Sequence, residues 1–349
     1  MPITTGSSAR RALVTATTTL TARQLARDLS SDPAMQVFSA STSAELFDHI
    51  NLNRPSVILL DTKLAGDSTP NLVHGLTHQK QIPVVLRADA GARPMLLDAI
   101  DRGAVAVTTR PTSIAEAAEM NPSLLWTLRA AAGVSISNLL REQEFKPVPS
   151  AAGSLSILAL GAGIGGLNTL ANVLAQLPAD GPATLAVTSL PACLTAAWAE
   201  RLAPRCRMRV RHAVNGDTFQ PGELLVAPGG LQTMVCRAGT GLKLAIKDGP
   251  AVFHQKPSLE VLFSSLADTA ARNTVAAVLS GAGVDGVTSM LSLRRAGART
   301  LAESPQSSAC GELPNRAVQC GAAEFTAPAN QIAEKMLSLA SAGSLSRAA

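Results

Sequence analysis

The chain has 349 residues, of which 46% are hydrophobic and 16% charged, with a formal charge of +5. So apolar and weakly charged a composition excludes an intrinsically disordered protein, and the length points to about two domains. The small positive excess, with no dense Lys/Arg run, 3% aromatic residues and no tyrosine, gives no basis for binding nucleic acid.

The predicted elements begin with a short apolar run at 12–15, then helical spacing over 20–29, a strand at 37–40 and a helix at 44–52. A continuous apolar run at 56–60 ends at Asp61, and further strands are expected at 84–86 and 104–107, with a helix over 93–102 between them. Short buried strands alternating with helices imply an α/β domain with a parallel sheet covered on both faces. Residues 123–143 read as a helix, and Pro147, Pro149, Ser150 and Gly153 mark a linker. The pattern restarts with SILALGAGIGG, a strand running into a Gly-rich turn and a helix, followed by a strand at 183–190 and a helix at 195–202. NG and PGG turns within 208–255 predict β-hairpins, and 274–286 is another strand-to-helix turn.

No run approaches the roughly 20 apolar residues that a membrane-spanning helix needs. The first residues carry an arginine pair but no continuous apolar stretch before a small-residue cleavage site. The expectation is a cytoplasmic protein without membrane insertion. Cys193, Cys206, Cys236, Cys310 and Cys320 form an odd set with no CxxC spacing, which argues against a disulfide scaffold or a structural zinc. His49, His74, His78 and His212 are read as showing no ligand spacing.

Two features carry candidate chemistry. Asp61 ends the most apolar strand, and ligands of open parallel sheets bind at the carboxyl ends of strands; the other reading is a helix cap or loop acid. Gly161, Gly163 and Gly166 satisfy G-x-G-x-x-G after a strand and before a helix, the spacing of a dinucleotide site. The next strand ends at residues 187–190 without the acid that would hold a ribose, which speaks against that use.

The blocks LVTAT, VILLDTKLAG, PVVLRAD and GAVAVTTRP, over about residues 10–130, resemble a response-regulator receiver domain. The resemblance implies a doubly wound, five-stranded domain whose phosphoacceptor matches Asp61. The two magnesium-holding acids after the first strand are matched by Ala16 and Thr17, the phosphoryl-sensing hydroxyl by Ala88, and the paired lysine by Arg110. A pseudo-receiver with little magnesium affinity and an Asp61–Arg110 ion pair is therefore expected, with Asp67 as a weak substitute ligand. No cofactor is expected.

A second set, ILALGAGIGGLNTL, AVTSLPACLTAAWAERL, GELLVAPGG, KPSLEVLFSSLA and VAAVLSGAGVDGVTSMLSLRRAGA, resembles the CheB-type chemotaxis methylesterase domain. This implies a three-layer α/β/α Rossmann-like domain with β-hairpins, and a plan of receiver-like 1–122, helix and linker 123–153, and methylesterase-like 154–349. The family cleaves receptor glutamate methyl esters with a Ser/His/Asp triad. The resemblance places Asp285 at the triad acid, Gly163 at the serine and Ser189 at the histidine. It places Ile164 beside the nucleophile and Ala282 at the methionine that helps cradle the oxyanion. His254 falls in a stretch at the site's rim, and a Ser189–His254 pair is the substitute to weigh. Asp285 has a structural alternative, capping the helix that follows GVDG.

The resemblance thus implies a catalytically silent chemosensory protein. It would bind a chemoreceptor-like methyl-accepting protein, or the histidine kinase or scaffold of its array. The alternatives are an active protein-glutamate methylesterase with a displaced site, and a dinucleotide-binding protein using GAGIGG.

Overall fold

A computed structural model describes residues 10–91, 93–149, 156–239 and 241–345. Ser150 and Gly153 of the predicted linker lie outside them. The chain divides into two compact units, Met1–Ile136 and Ser137–Ala349.

The first unit is built on five parallel strands: β1 (Arg10–Thr15), β2 (Met35–Ala40), β3 (Val57–Asp61), β4 (Val84–Ala88) and β5 (Ala106–Thr109). Their order is β2-β1-β3-β4-β5, a doubly wound sheet. Every residue of β3 is buried, as a strand covered on both faces requires. The winding reverses between β1 and β3, so the carboxyl ends of these strands open the crevice where such folds place ligands. The helices Thr19–Leu29 and Ser43–Asn53 start at Thr18 and Thr42, whose hydroxyls accept from Thr21 N and Glu45 N.

The helix predicted over 123–143 instead runs Ile114–Ala131. Ser113 caps it, and Glu116 reaches back to Thr112 N and Oγ1, each at 2.6 Å. This start signal lies upstream of Pro122, which the helix carries inside it. The unit's one tryptophan, Trp126, lies half-buried on this helix.

The second unit contains β6 (Ile157–Ala162), β7 (Ala183–Thr188), β8 (Arg209–His212), β9 (Glu223–Val226), β10 (Gln232–Ala238), β11 (Gly241–Lys247), β12 (Thr274–Val278), β13 (Arg299–Glu303) and β14 (Phe325–Ala327). Seven of them form a parallel sheet in the order β14-β13-β12-β6-β7-β9-β8. Its winding reverses between β6 and β12, and the loops after these two strands meet there. Trp198, on the helix Ala192–Leu202, is buried, as are Met290 and Leu293. Leu291 packs against the core from a half-buried position.

Among the described residues the hairpin expectation holds for one pair of strands. β10 and β11 pair antiparallel as a separate ribbon. The NG turn at Asn215-Gly216 lies between β8 and β9, which run parallel, so it closes no hairpin.

Residues 141–149 are an extended strap bound to the second unit. Val148 N donates to Gln176 O at 2.9 Å, and Gln176 Nε2 donates to Lys146 O at 2.9 Å. Arg207 Nη2 donates to Val148 O at 2.8 Å, and Asn330 Nδ2 to Glu144 O at 3.3 Å. A segment whose sequence reads as linker thus satisfies its backbone through three side chains and one backbone carbonyl of the body beneath it.

Candidate functional site

The first candidate centre is the crevice at the end of β3. Asp61 is 2% exposed. Its Oδ1 accepts from Lys63 N at 2.8 Å, and its backbone N–H donates to Thr15 Oγ1 at 2.7 Å. Its Oδ2 pairs with Arg110 Nη1, as the sequence led one to expect. Arg110 Nε also donates to Asp89 at 2.8 Å, and Lys63 Nζ meets the other Asp89 oxygen at 3.0 Å. Lys63 and Arg110 thereby hold the Asp89 carboxyl below its usual range. Arg87 lies in register with Asp61 on β4; burial lowers its pKa and the nearby Asp61 charge opposes that. Ala16 and Ala88 are buried methyl groups, and Thr17 and Asp67 are exposed. Among the described residues no group of three or more His, Cys, Asp or Glu side chains is arranged to hold a metal ion.

His74 and His78 stand four apart and stack with ring centroids 3.9 Å apart. Burial, with the neighbouring His74, lowers the His78 pKa.

The second centre lies at the switch point of the larger sheet. A small cavity of about 20 Å³ is lined by Gly163, Ser189, Ala282 and Asp285, together with apolar groups such as Leu259 and Leu313. The fold therefore gathers the three positions that the resemblance assigns to the triad, and the cradle position with them. Ile164 is buried. His254 is exposed and sits one residue before Gln255, which lines the cavity.

A Cβ at Gly161 would stand 2.3 Å from Leu259 Cδ2, whereas Gly163 and Gly166 meet the chain's own backbone. A Cβ at Gly166 would stand 2.1 Å from Ser280 O, and one at Gly163 would stand 3.0 Å from Gly281 Cα. Gly163 N donates to Ser280 O at 3.0 Å. Gly163 and Gly166 serve the close approach of the β6 and β12 loops and Gly161 makes room for Leu259, which is the physical reason for a pattern that the sequence offers as a dinucleotide fingerprint.

The β12 loop is fixed from the other side. Ser280 N and Oγ donate to Glu303 Oε2 at 2.7 and 2.8 Å, and Ser307 Oγ donates to Glu303 Oε1 at 3.1 Å. Glu303 is fully buried, and burial pushes its carboxyl above the usual range. Gly281 N donates to Cys310 O at 2.8 Å, and Gly283 N to Glu312 Oε2 at 3.1 Å. None of Ser280, Glu303 and Glu312 stands out in the sequence; an acid following Leu301 and Ala302 at the end of a strand is the one signal that marks Glu303.

Asp285 is 6% exposed, and it does not cap the helix that follows it. That helix, Val287–Arg295, starts at Gly286 with no side-chain cap bond. Asp285 instead caps the helix Leu259–Thr269. Its Oδ1 accepts from Ser258 Oγ at 2.5 Å and Glu260 N at 3.2 Å, and its Oδ2 accepts from Leu259 N at 2.8 Å. Ser258, three residues before an apolar run and followed by Glu260, was a readable start signal for that helix. Burial pushes the Asp285 carboxyl up to about 6, against the pull of its three donors.

Comparison with known proteins agrees with this geometry. Residues 158–336 match the CheB methylesterase family model. The chain is 31% identical to protein-glutamate methylesterase/protein-glutamine glutaminase 2 of Syntrophus aciditrophicus, over 89% of this chain and 93% of that one. It is 32% identical to protein-glutamate methylesterase/protein-glutamine glutaminase 5 of Anaeromyxobacter dehalogenans, over 97% of this chain and 99% of that one. The CheB methylesterase catalytic domain of Thermotoga maritima superposes over 54% of this chain and all of its own, with 23% identity and a TM-score of 0.52, and so shares its fold. Among the described residues no helix is long and apolar enough to cross a membrane. A matching family model and relatives of this identity along nearly the whole chain place the protein in the CheB methylesterase family.

Proposed function

We propose that this chain is a catalytically silent member of the family, working in the cytoplasm by binding rather than by hydrolysis. Its partner is a chemoreceptor-like methyl-accepting protein, with the histidine kinase or scaffold of the same array as the other candidate. The carrying observation is Gly163. The position that the resemblance assigns to the nucleophile has no side-chain oxygen, and a Cβ there would press on Gly281 Cα at 3.0 Å. Ser189 cannot serve as a general base near neutral pH. Asp285 has both oxygens committed to the helix beginning at Leu259. Dismantling a comparable triad costs about 10⁶ in rate.

The receiver-like corner supports the same reading. Magnesium takes oxygen ligands, and here Ala16 and Ala88 supply none while Asp61 Oδ2 is taken by Arg110. The residues present do not suit that ion.

The test is methanol release from methyl-esterified chemoreceptor membranes by the full chain, beside a Gly163→Ser/Ser189→His variant. The expected result is no release by the native protein above the uncatalysed background and measurable release by the variant. Enzyme-like turnover by the native protein sinks the reading.

A further inference from the structure

The first unit carries a pair of side chains that neither centre uses. His74 ends the helix Thr69–His74, and His78 lies in the π-helical turn Gly75–Gln79 that continues it. Residues four apart on an α-helix are neighbours, with Cβ atoms about 5–6 Å apart. A π turn closes its hydrogen bonds one residue further along and is wider, so residues four apart come more nearly into line; such turns are frequent at functional sites. The two rings accordingly stack with centroids 3.9 Å apart. Both histidines are exposed, while Leu76 and Thr77 between them are buried and anchor the turn. Ile82 N donates to Leu76 O at 3.1 Å just before β4, and Thr77 Oγ1 lies 3.2 Å from Arg102 O shortly before β5. The pair therefore sits at the amino ends of these strands, the edge of the sheet opposite Asp61.

Thr77 decides which nitrogen of His78 is bare. Its hydroxyl has one hydrogen and three backbone carbonyls within reach, Val73 O at 2.8 Å, Arg102 O at 3.2 Å and His74 O at 3.4 Å. In the 3.1 Å contact between Thr77 Oγ1 and His78 Nδ1 the ring is therefore the donor. His78 carries its proton on Nδ1, and its Nε2 presents a lone pair. Burial, with His74 beside it, lowers the His78 pKa, so the neutral ring prevails at pH 7. An oxygen that accepts from one ring nitrogen and leaves the other bare is the arrangement that orients metal-ligating histidines. Gly103, at φ 106°, keeps the space for Thr77, since a Cβ there would stand 2.9 Å from Thr77 Oγ1. Among the described residues the His74 ring has its stack on His78 and no hydrogen bond.

We propose that His74 and His78 form a binding site for one late transition-metal ion, zinc, nickel or copper, held by His78 Nε2 and a ring nitrogen of His74. Metal–nitrogen bonds of about 2.0–2.1 Å place two ligating nitrogens at most about 4 Å apart. Rings whose centroids stand 3.9 Å apart already lie within that span. Imidazole suits these ions. Among the described residues no further His, Cys, Asp or Glu joins the pair to make a group of three. Magnesium and calcium, which want oxygen ligands, gain nothing from it, and water completes the coordination of the bound ion. The two ligands flank the π turn, so the ion clamps it and stabilises the folded unit. The site is separate from Asp61 and gives this unit a response to a dissolved ion that needs no phosphoryl transfer.

The experiment titrates the full chain with zinc chloride, with magnesium chloride as the control, and follows the ring nitrogens of its 5 histidines by long-range nitrogen–proton NMR. Zinc taken up by the cysteines leaves these signals in place. Without metal, His78 should be protonated on Nδ1. Zinc should shift His78 Nε2 and one nitrogen of His74, and magnesium neither. His74→Gln and His78→Gln, both at exposed positions, should each abolish the zinc response of the histidine that remains. Thr77→Val should weaken zinc binding on the same signals about tenfold, and Thr77→Ser, which keeps the hydroxyl, should retain it. There is no such site if zinc shifts neither ring, if magnesium gives the same shifts, or if the remaining histidine of either Gln variant responds as in the native chain. A metal-free His78 protonated on Nε2, or full affinity in a folded Thr77→Val chain, overturns the part assigned to Thr77. None of these results bears on the silent-binder reading.

Discussion

At the end of β3 a buried acid is paired with a cation, whereas at the end of β6 the position that the resemblance matches to a nucleophile is a glycine with a loop lying against it. The first arrangement is electrostatic. Asp61 stays buried, so it must keep a partner, and Arg110 supplies one while also gripping Asp89. The second is steric. With no side chain at Gly163, the β12 loop approaches until Gly281 lies against it. A charge that remains in a low-dielectric site dictates its neighbours, while a side chain that leaves lets backbone fill the gap. A free carboxylate at Asp61 therefore means displacing a cation, and a larger side chain at Gly163 means moving a loop that Glu303 holds.

The sharpest way to break this comparison is Arg110→Ala. It strands a buried carboxylate, so the first unit should lose about 3 kcal/mol or more in chemical denaturation, and Asp61→Ala/Arg110→Ala should recover part of that loss. A loss under about 1 kcal/mol would mean that the ion pair does not hold the crevice.

A second test sets the two units against each other in pH. The folded Asp285 carboxyl lies near 6, above its ordinary 3.8. Its contribution to stability is therefore complete below about pH 3.8 and lost as pH rises through 6, worth about 3 kcal/mol at most. Burial raises Glu303 as well, with the same sign. In the first unit the side-chain bond from Arg129 lowers Asp32, and the bonds from Lys63 and Arg110 lower Asp89. Their contributions are present above the ordinary carboxylate pKa and fade as pH falls through the lowered values. From pH 4 to 7 the second unit should weaken, while the first should not lose stability on account of these acids. An Asp285→Asn protein with an unchanged pH profile in its second unit would contradict the assignment.

The smallest effect is expected at Gly163. Gly163→Ala should cost about 1 kcal/mol in thermal unfolding, because Gly281 must give by a few tenths of an ångström. A neutral or stabilising result would show that the loop has room and does not close on Gly163.

Much of this was legible in the sequence because it is one-dimensional information. Apolar strand runs and the Asp61–Arg110 pairing can be read from spacing and from matched positions. What escaped depends on contacts between distant segments. The role of Asp285 is set by a helix that begins 26 residues earlier. The strap looks like linker because its partners, Gln176, Arg207 and Asn330, are far along the chain. The NG dipeptide suggests a hairpin, but parallel pairing of β8 and β9 overrides it. The positive φ of Phe253 and His254 could not be read at all, since nothing in a Val-Phe-His-Gln string announces it.

The placement of the two tryptophans has an optical consequence. With no tyrosine in the chain and 2 tryptophans, its ultraviolet emission comes from Trp126 in the first unit and Trp198 in the second. Replacing either one by phenylalanine leaves a protein whose fluorescence belongs to a single unit. Half-buried Trp126 and buried Trp198 then serve as separate dyes, each built into the body whose unfolding it reports.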